Sequence, residues 1–434
     1  MLRTITVTLF FLVLTCCNSR KSSEPADASM EIHDKVNQLT DLIVYDIFSP
    51  PVASRIYAYA CIAVHEAVRH TDPKETSIAA KLNGFPDMPV PDKDKEYDFH
   101  LAASTAFYTV VSGLIFSKDQ LKVYAAESMK NYRERLSEKV YNNSVEFGEA
   151  VAKAVMARMA SDNYKKTRAL EKNYGSRDDG KWQPTAPDYL DGTEPYWNQI
   201  KPLTMDSASQ FSPPPPPSFD KGKSSQFYLM NDEVYQVGKS LTQEQKEIAS
   251  FWDDNPFVME HSGHLMLATK KQTPGGHWMG IATIACKKSG ASAVASARTY
   301  ALTSIAIFDA FVSVFDTKYR FNYVRPITFI NKEIDGKWEP FLQTPPFPEY
   351  TSGHSSITAS AATILTGLYG DKFAFEDTSD MRFIQKKRQF NSFVQAADEC
   401  SVSRLYGGIH FRISLDNGAN AGKKIGENIL GKFR

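Results

Sequence analysis

Apolar residues recur three and four positions apart along most of this chain, and that spacing admits helices and little else. Ile32, Val36, Leu39, Ile43 and Ile47 mark one face of an amphipathic helix that must stop at Ser49-Pro50-Pro51. Val52 to His70 is apolar nearly all round and rich in small residues, which predicts a buried helix. The same periodicity predicts helices over His100 to Phe116, Lys118 to Val140, Ser144 to Ser161, Thr242 to Asp253, Pro274 to Val324, Gly353 to Leu368, Met381 to Ser401 and Asn417 to Leu430. No alternating pattern long enough for a convincing strand and no fixed-period repeat is legible. The expected fold class is therefore all-α, built of helical bundles.

One stretch breaks the pattern. Between Asn173 and Gln226 the chain turns to Gly, Pro, Trp and Asp, with five consecutive prolines from Pro213 to Pro217. Such a run takes up polyproline II and cannot be helix or central strand. It divides an N-terminal helical layer, residues 31–172, from a C-terminal bundle, residues 227–434, by a stiff connection over 173–226.

The first residues read as an address. Arg3 precedes an apolar run, Ile5 to Leu14, too short to span a bilayer, and Leu14-Thr15-Cys16-Cys17 follows directly. This predicts a lipoprotein signal over 1–17 with Cys17 as the lipidated residue and Cys16 as the alternative. Residues 18–30 would be a flexible tether. The protein is expected to be exported and anchored at a membrane surface, periplasmic or facing outward, with no transmembrane helix, since no span of about 20 apolar residues is apparent. A plain secretory signal is the competing reading. Beyond it only Cys61, Cys286 and Cys400 remain, scattered and without disulfide or metal-ligand spacing, so buried thiols are expected. Fifty basic residues balance fifty acidic ones, which argues against nucleic acid as a partner; any bound anion must be gripped locally.

Three short stretches concentrate anion-binding groups. In the first, Lys318 and Arg325 stand seven residues apart, close to two helical turns, with Pro326 marking the stop; the spacing predicts that they share a helix face. The second is Ser352-Gly353-His354 before a helix carrying Ile357, Ala361, Ile364, Leu365 and Leu368. Helix N-termini favour anions, so Ser352 is read as a hydrogen-bond donor or a plain cap, Gly353 as close backbone approach and His354 as acid or base. The third holds Arg404 and His410. On a straight helix they would diverge by about 120°, and Gly407-Gly408 supplies the break that lets them converge. His65 and His70 flank Glu66 at a five-residue spacing, not the four of a helical zinc site, and read as structural; His261, His264 and His277 lie in Gly-containing segments and read the same way, with placement of one of them near the site as the alternative.

Lys318-x6-Arg325-Pro326, Ser352-Gly353-His354 and Ser403-Arg404-x5-His410 together resemble the three-part signature of vanadium-dependent haloperoxidases and the phosphatidic acid phosphatase type 2 superfamily. Thr351 stands where many members have proline. The long region before the first motif resembles the soluble haloperoxidases, particularly the bacterial iodoperoxidase branch, as do Gly180-Lys181-Trp182-Gln183-Pro184 and Phe251-Trp252-Asp253-Asp254-Asn255-Pro256. The resemblance implies vanadate as cofactor, with phosphate able to occupy the same site, and hydrogen peroxide and halide as substrates. His410 would ligate the metal, and Lys318, Arg325, Arg404, Ser352 and the Gly353 N–H would hold its oxygens. His354 would move protons, with Lys318 polarising peroxide. Phe315, Asp316 and Phe347 would border the site, Phe347 leaving an apolar rim where some bromoperoxidases carry a second histidine. Iodide, the most easily oxidised halide, is the expected one, mainly because the resemblance is to the bacterial iodoperoxidase branch. A phosphatase with His410 as nucleophile, and an anion-binding lipoprotein without catalysis, are the competing readings; oligomeric state and the organic acceptor are not legible.

Overall fold

The computed structural model describes residues 28–256, 259–262, 265–268 and 270–433. The expected signal and lipidation site, and all but the last residues of the tether, lie outside them. Helices run α1 Ala28–Tyr45, α2 Pro50–Val68, α3 Phe99–Ser112, α4 Lys118–Arg135, α5 Glu138–Ala160, α6 Tyr164–Thr167 and α7 Gln226–Lys239. They continue as α8 Gln243–Phe251, α9 Pro274–Ser289, α10 Ala293–Phe321, α11 Pro326–Glu333, α12 Gly353–Tyr369, α13 Phe393–Tyr406 and α14 Arg412–Phe433. Two antiparallel hairpins, β1 Met259–Ser262 with β2 Leu265–Ala268 and β3 Phe375–Asp377 with β4 Arg388–Phe390, are the only sheets among the described residues.

Three expected helices resolve differently. The span 274–324 is two helices, because Gly290 sits at φ 64 as the left-handed cap of α9 and Ser292 caps the next start by accepting from Ala295 N–H. Lys118 to Val140 likewise breaks after Arg135, where Ser137 caps α5. The stretch from Met381 holds turns and β4, and α13 begins only at Phe393, capped by Ser392. Charged and amide residues at 385–389 carry no apolar face to bury, so helical spacing alone misplaces that start.

Helix α10 organises the rest. It packs against α2 on one side and α12 on the other, and α12 in turn lies along α14. It is the one described helix long and apolar enough to cross a membrane, which corrects the expectation that no such span exists; its apolar window is 94% buried inside the protein. A continuous core joins α1, α2, α3 and α5 to α9, α10, α12 and α13, and Cys61, Cys286 and Cys400 are buried free thiols, as expected. α12 and α14 approach closely because Gly418, Gly422 and Gly426 line the contact: a Cβ on Gly422 would stand 2.0 Å from the Ser356 carbonyl oxygen.

The proline run lies as an extended belt. Lacking N–H groups, it can be held only by donors from outside. Tyr350 donates its hydroxyl to the Pro214 carbonyl and Tyr323 to that of Pro217, both at 2.6 Å.

Candidate active site

Lys318 and Arg325 do meet, though not on a shared helix face. α10 ends at Phe321, and Asn322 turns the chain in the left-handed region at φ 48. Arg325 follows in extended backbone as the residue before Pro326, where helical geometry is disfavoured. What unites the two is the loop before α12. The Lys318 ammonium donates to the carbonyl oxygens of Pro348 at 2.9 Å, Glu349 at 3.0 Å and Thr351 at 2.6 Å. Arg325 donates from Nε to Phe347 O at 2.9 Å and from Nη1 to Ile409 O at 2.7 Å, with His410 Nε2 3.3 Å from Nη1. Both cations also lie over the Phe347 ring, at 4.9 and 5.1 Å. Because main-chain oxygens take all three Lys318 protons, its grip on an anion is one of charge and shared hydrogen bonds.

Ser352 caps α12. Its Oγ accepts from Ser355 N–H at 3.2 Å and from the Ser355 hydroxyl at 2.9 Å, which leaves its own proton to donate. Its N–H donates to Ser414 O at 3.1 Å and so ties the start of α12 to α14. Gly353 opens the helix; a Cβ there would meet Lys318 Cε at 4.0 Å, so the glycine leaves room beside the ammonium. His354 follows, and its Nε2 is buried with no partner among the described residues.

The expected break between Arg404 and His410 is present. α13 stops at Tyr406 and Gly408 takes φ 74, where a Cβ would also press on Pro340 at 3.0 Å. Arg404 donates from Nη1 to Trp252 O, while its buried Nε has no partner among the described residues.

Lys318, Gly353, His354 and His410 line one narrow cavity of about 30 Å³, large enough for water-sized guests. Its other wall is apolar and includes Phe311, Phe315, Phe347 and Ile357. Arg325 reaches His410 directly, and Arg404 is near enough for its charge to depress both histidines. Phe315 and Phe347 stand on the wall as expected, 5.5 Å apart. Asp316 is not on it: its carboxylate pairs with Arg320 at 3.2 Å and accepts from Asn198.

The electrostatics are lopsided. Lys318, Arg325 and Arg404 are at most 1% exposed, and none has a carboxylate in ion-pair reach among the described residues. Burial first, then the charge of Arg325, pushes the Lys318 ammonium well below its usual range, and burial brings Arg325 down to about 10, although Glu349 opposes both shifts. Burial also lowers Arg404 and, with the neighbouring cations, holds His354 and His410 well below 6.5, as neutral rings. Buried cations that repel one another are costly unless an anion sits among them. The donor set suits a tetrahedral or trigonal oxyanion with a ligating or attacking imidazole at its centre.

Two features escaped the sequence reading. Glu349, buried in the loop before α12, bonds His410 from the far side: Nδ1 lies 2.8 Å from its Oε1. Behind Trp252, His277 is clamped between Asp254, 3.0 Å from Nδ1, and Asp377, 2.9 Å from Nε2, with Asp380 close by. Asp254 also reaches the cavity wall. Nothing local marks either; both assemble residues more than 20 positions apart.

Comparisons with known proteins agree with this geometry. Residues 298–434 match the family model described as VCPO second helical-bundle domain. The chain is similar to the first bacterial vanadium-dependent iodoperoxidase solved by crystallography, with 41% identity over 94% of this chain and 96% of that one and a TM-score of 0.88. It shares its fold with the holo and apo forms of a bacterial vanadium-dependent chloroperoxidase, at 16% and 15% identity and TM-scores of 0.68 and 0.67, over 89% and 88% of this chain and 93% and 94% of theirs. No curated protein sequence shows similarity.

Proposed function

The chain belongs to the vanadium-dependent haloperoxidases, and from that premise we propose that it uses hydrogen peroxide to oxidise halide, with iodide preferred, at the cavity between α10, α12 and the loop after α13. The observation that carries the reading is the trio of buried cations with no carboxylate in ion-pair contact among the described residues, facing two neutral histidines. Vanadate suits them: Lys318, Arg325, Arg404, Ser352 and the Gly353 N–H would hold its oxygens, and the His410 Nε2 lone pair would ligate the metal. When bound, vanadate supplies a Lewis-acidic centre that activates peroxide.

The chain's own residues do the rest. The three cations balance the oxyanion's charge in a site that excludes bulk water, where such interactions are strong. His354, neutral and with its Nε2 unpartnered among the described residues, is placed to take a proton from incoming peroxide and hold it at that atom. The small cavity suits guests the size of peroxide and a halide ion. The apolar Phe315 and Phe347 wall strips water from the halide; iodide, the largest and most easily oxidised, loses least by that, and the 41% identical relative is an iodoperoxidase. Residues 1–17 support export with a lipid anchor at Cys17.

Protein loaded with orthovanadate and given peroxide should oxidise iodide, with bromide and chloride slower. Equal turnover of bromide would remove the iodide preference. Ester hydrolysis by the vanadate-free protein, without halide oxidation after loading, would establish a phosphohistidine phosphatase instead.

A further inference from the structure

The two faces of the His410 ring meet chemically opposite neighbours. On one side Nδ1 lies 2.8 Å from Glu349 Oε1. The same oxygen accepts the Phe411 N–H at 3.0 Å, and Oε2 accepts the Ser414 hydroxyl at 2.7 Å. On the other side Nε2 lies 3.3 Å from Arg325 Nη1. A guanidinium can only donate, so Nε2 is an acceptor. The ring's single proton then belongs on Nδ1. Glu349 is itself fixed from three directions: its side chain by Phe411 and Ser414, its carbonyl oxygen by Lys318 at 3.0 Å, and its N–H by Tyr323 O at 3.0 Å.

We infer that Glu349 is a positioning residue that holds His410 as the Nδ1–H tautomer, with the Nε2 lone pair aimed into the cavity. A carboxylate behind a ligating histidine fixes both which nitrogen is free and where it points, and it raises the basicity of that nitrogen. Here the carboxylate comes from the loop before α12, whereas the histidine comes from the loop after α13. The contact therefore also locks the two halves of the oxyanion cradle in register. Its use as a ligand orienter rests on the oxyanion reading above; the tautomer itself does not.

The test separates orientation from charge. In Glu349→Gln the Phe411 N–H still requires an acceptor at Oε1, so the amide NH2 must take the Oε2 position and turn to Ser414 Oγ. Orientation is kept and the negative charge is lost. Glu349→Ala removes both. With 15N-histidine-labelled protein free of any oxyanion, and His410→Asn to identify the ring among the nine histidines, the two-bond 15N–1H pattern should show a protonated Nδ1 and a bare Nε2 in the wild type and in E349Q. In E349A the slowly exchanging Nδ1 proton should be lost. Calorimetry with inorganic phosphate should show a loss of tenfold or more in affinity for E349A, and E349Q within a few-fold of the wild type.

A wild-type His410 protonated on Nε2, or a folded E349A that binds phosphate as the wild type does, would overturn the inference. If E349A does not fold, E349Q still decides, since migration of its proton to Nε2 would count equally against it. Failure of the wild type to bind either phosphate or orthovanadate would instead defeat the oxyanion reading, and the ligand-free spectrum would still report on Glu349.

Discussion

Arg404 is a side chain whose shape matters as much as its charge. Its fork gives Nη1 to Trp252 O and leaves the buried Nε without a partner among the described residues. Arg404→Lys keeps the charge but cannot fill both roles. Oxyanion affinity should fall about tenfold or more, the loss of one charge-assisted bond of roughly 1.5–3 kcal/mol, as titration calorimetry with phosphate measures. The residues that carry charge or break helices were legible in the sequence, because a lysine or arginine beside a proline or glycine pair is unusual enough to notice. Their convergence was only partly so. The equal-face argument for Lys318 and Arg325 failed because Asn322 adopts the left-handed region after the helix, a choice that helical spacing does not encode. Glu349 and the Asp254, His277 and Asp377 cluster were invisible, since a carboxylate gains its role from a partner supplied elsewhere in space.

Helix α12 carries Ser352, Gly353 and His354, and its placement depends on α14. The Gly422 contact leaves no room for a methyl group against Ser356 O. Gly422→Ala should therefore push the two helices apart and destabilise the fold by on the order of 2–3 kcal/mol, and it should weaken oxyanion binding although it touches no ligand. Chemical denaturation together with phosphate titration checks both effects. Helix existence was read well where the apolar face was long, as in α1, α2 and α12. The division into α9 and α10 was not, since apolar spacing continues straight across Gly290 and only the glycine's positive φ reveals the break.

Across the whole molecule, two couplings follow. Anything that binds the folded cradle and not the open chain must stabilise it, by about 2.7 kcal/mol at a hundredfold excess over Kd. Orthovanadate at such an excess should raise the unfolding temperature by several degrees, and no shift at saturation would contradict the cradle. The second coupling is to protons. Burial alone would lower the His277 pKa, but the carboxylates of Asp254 and Asp377 outweigh it and hold the ring well above 6.5. Burial pushes the Asp380 carboxyl up to about 7. Both groups bind protons more tightly folded than unfolded. Their stabilisation is present in acid, declines for Asp380 between its unfolded value near 4 and about 7, and declines for His277 as pH rises beyond 6.5 through its folded value. Asp380→Asn should then raise the unfolding temperature at pH 8 and leave it almost unaltered at pH 4, as calorimetric scans at the two pH values will show.

The clasp of Tyr350 on Pro214 and Tyr323 on Pro217 closes over the loop that bears Glu349 and Ser352. Peptide bonds flanked by proline resist most endopeptidases, and a strand without amide protons offers no rail for a foreign β-strand to zip onto. The same five residues thus give the Glu349 loop a neighbour, tied to it through Tyr350, that neither digestive enzymes nor aggregating strands can readily seize.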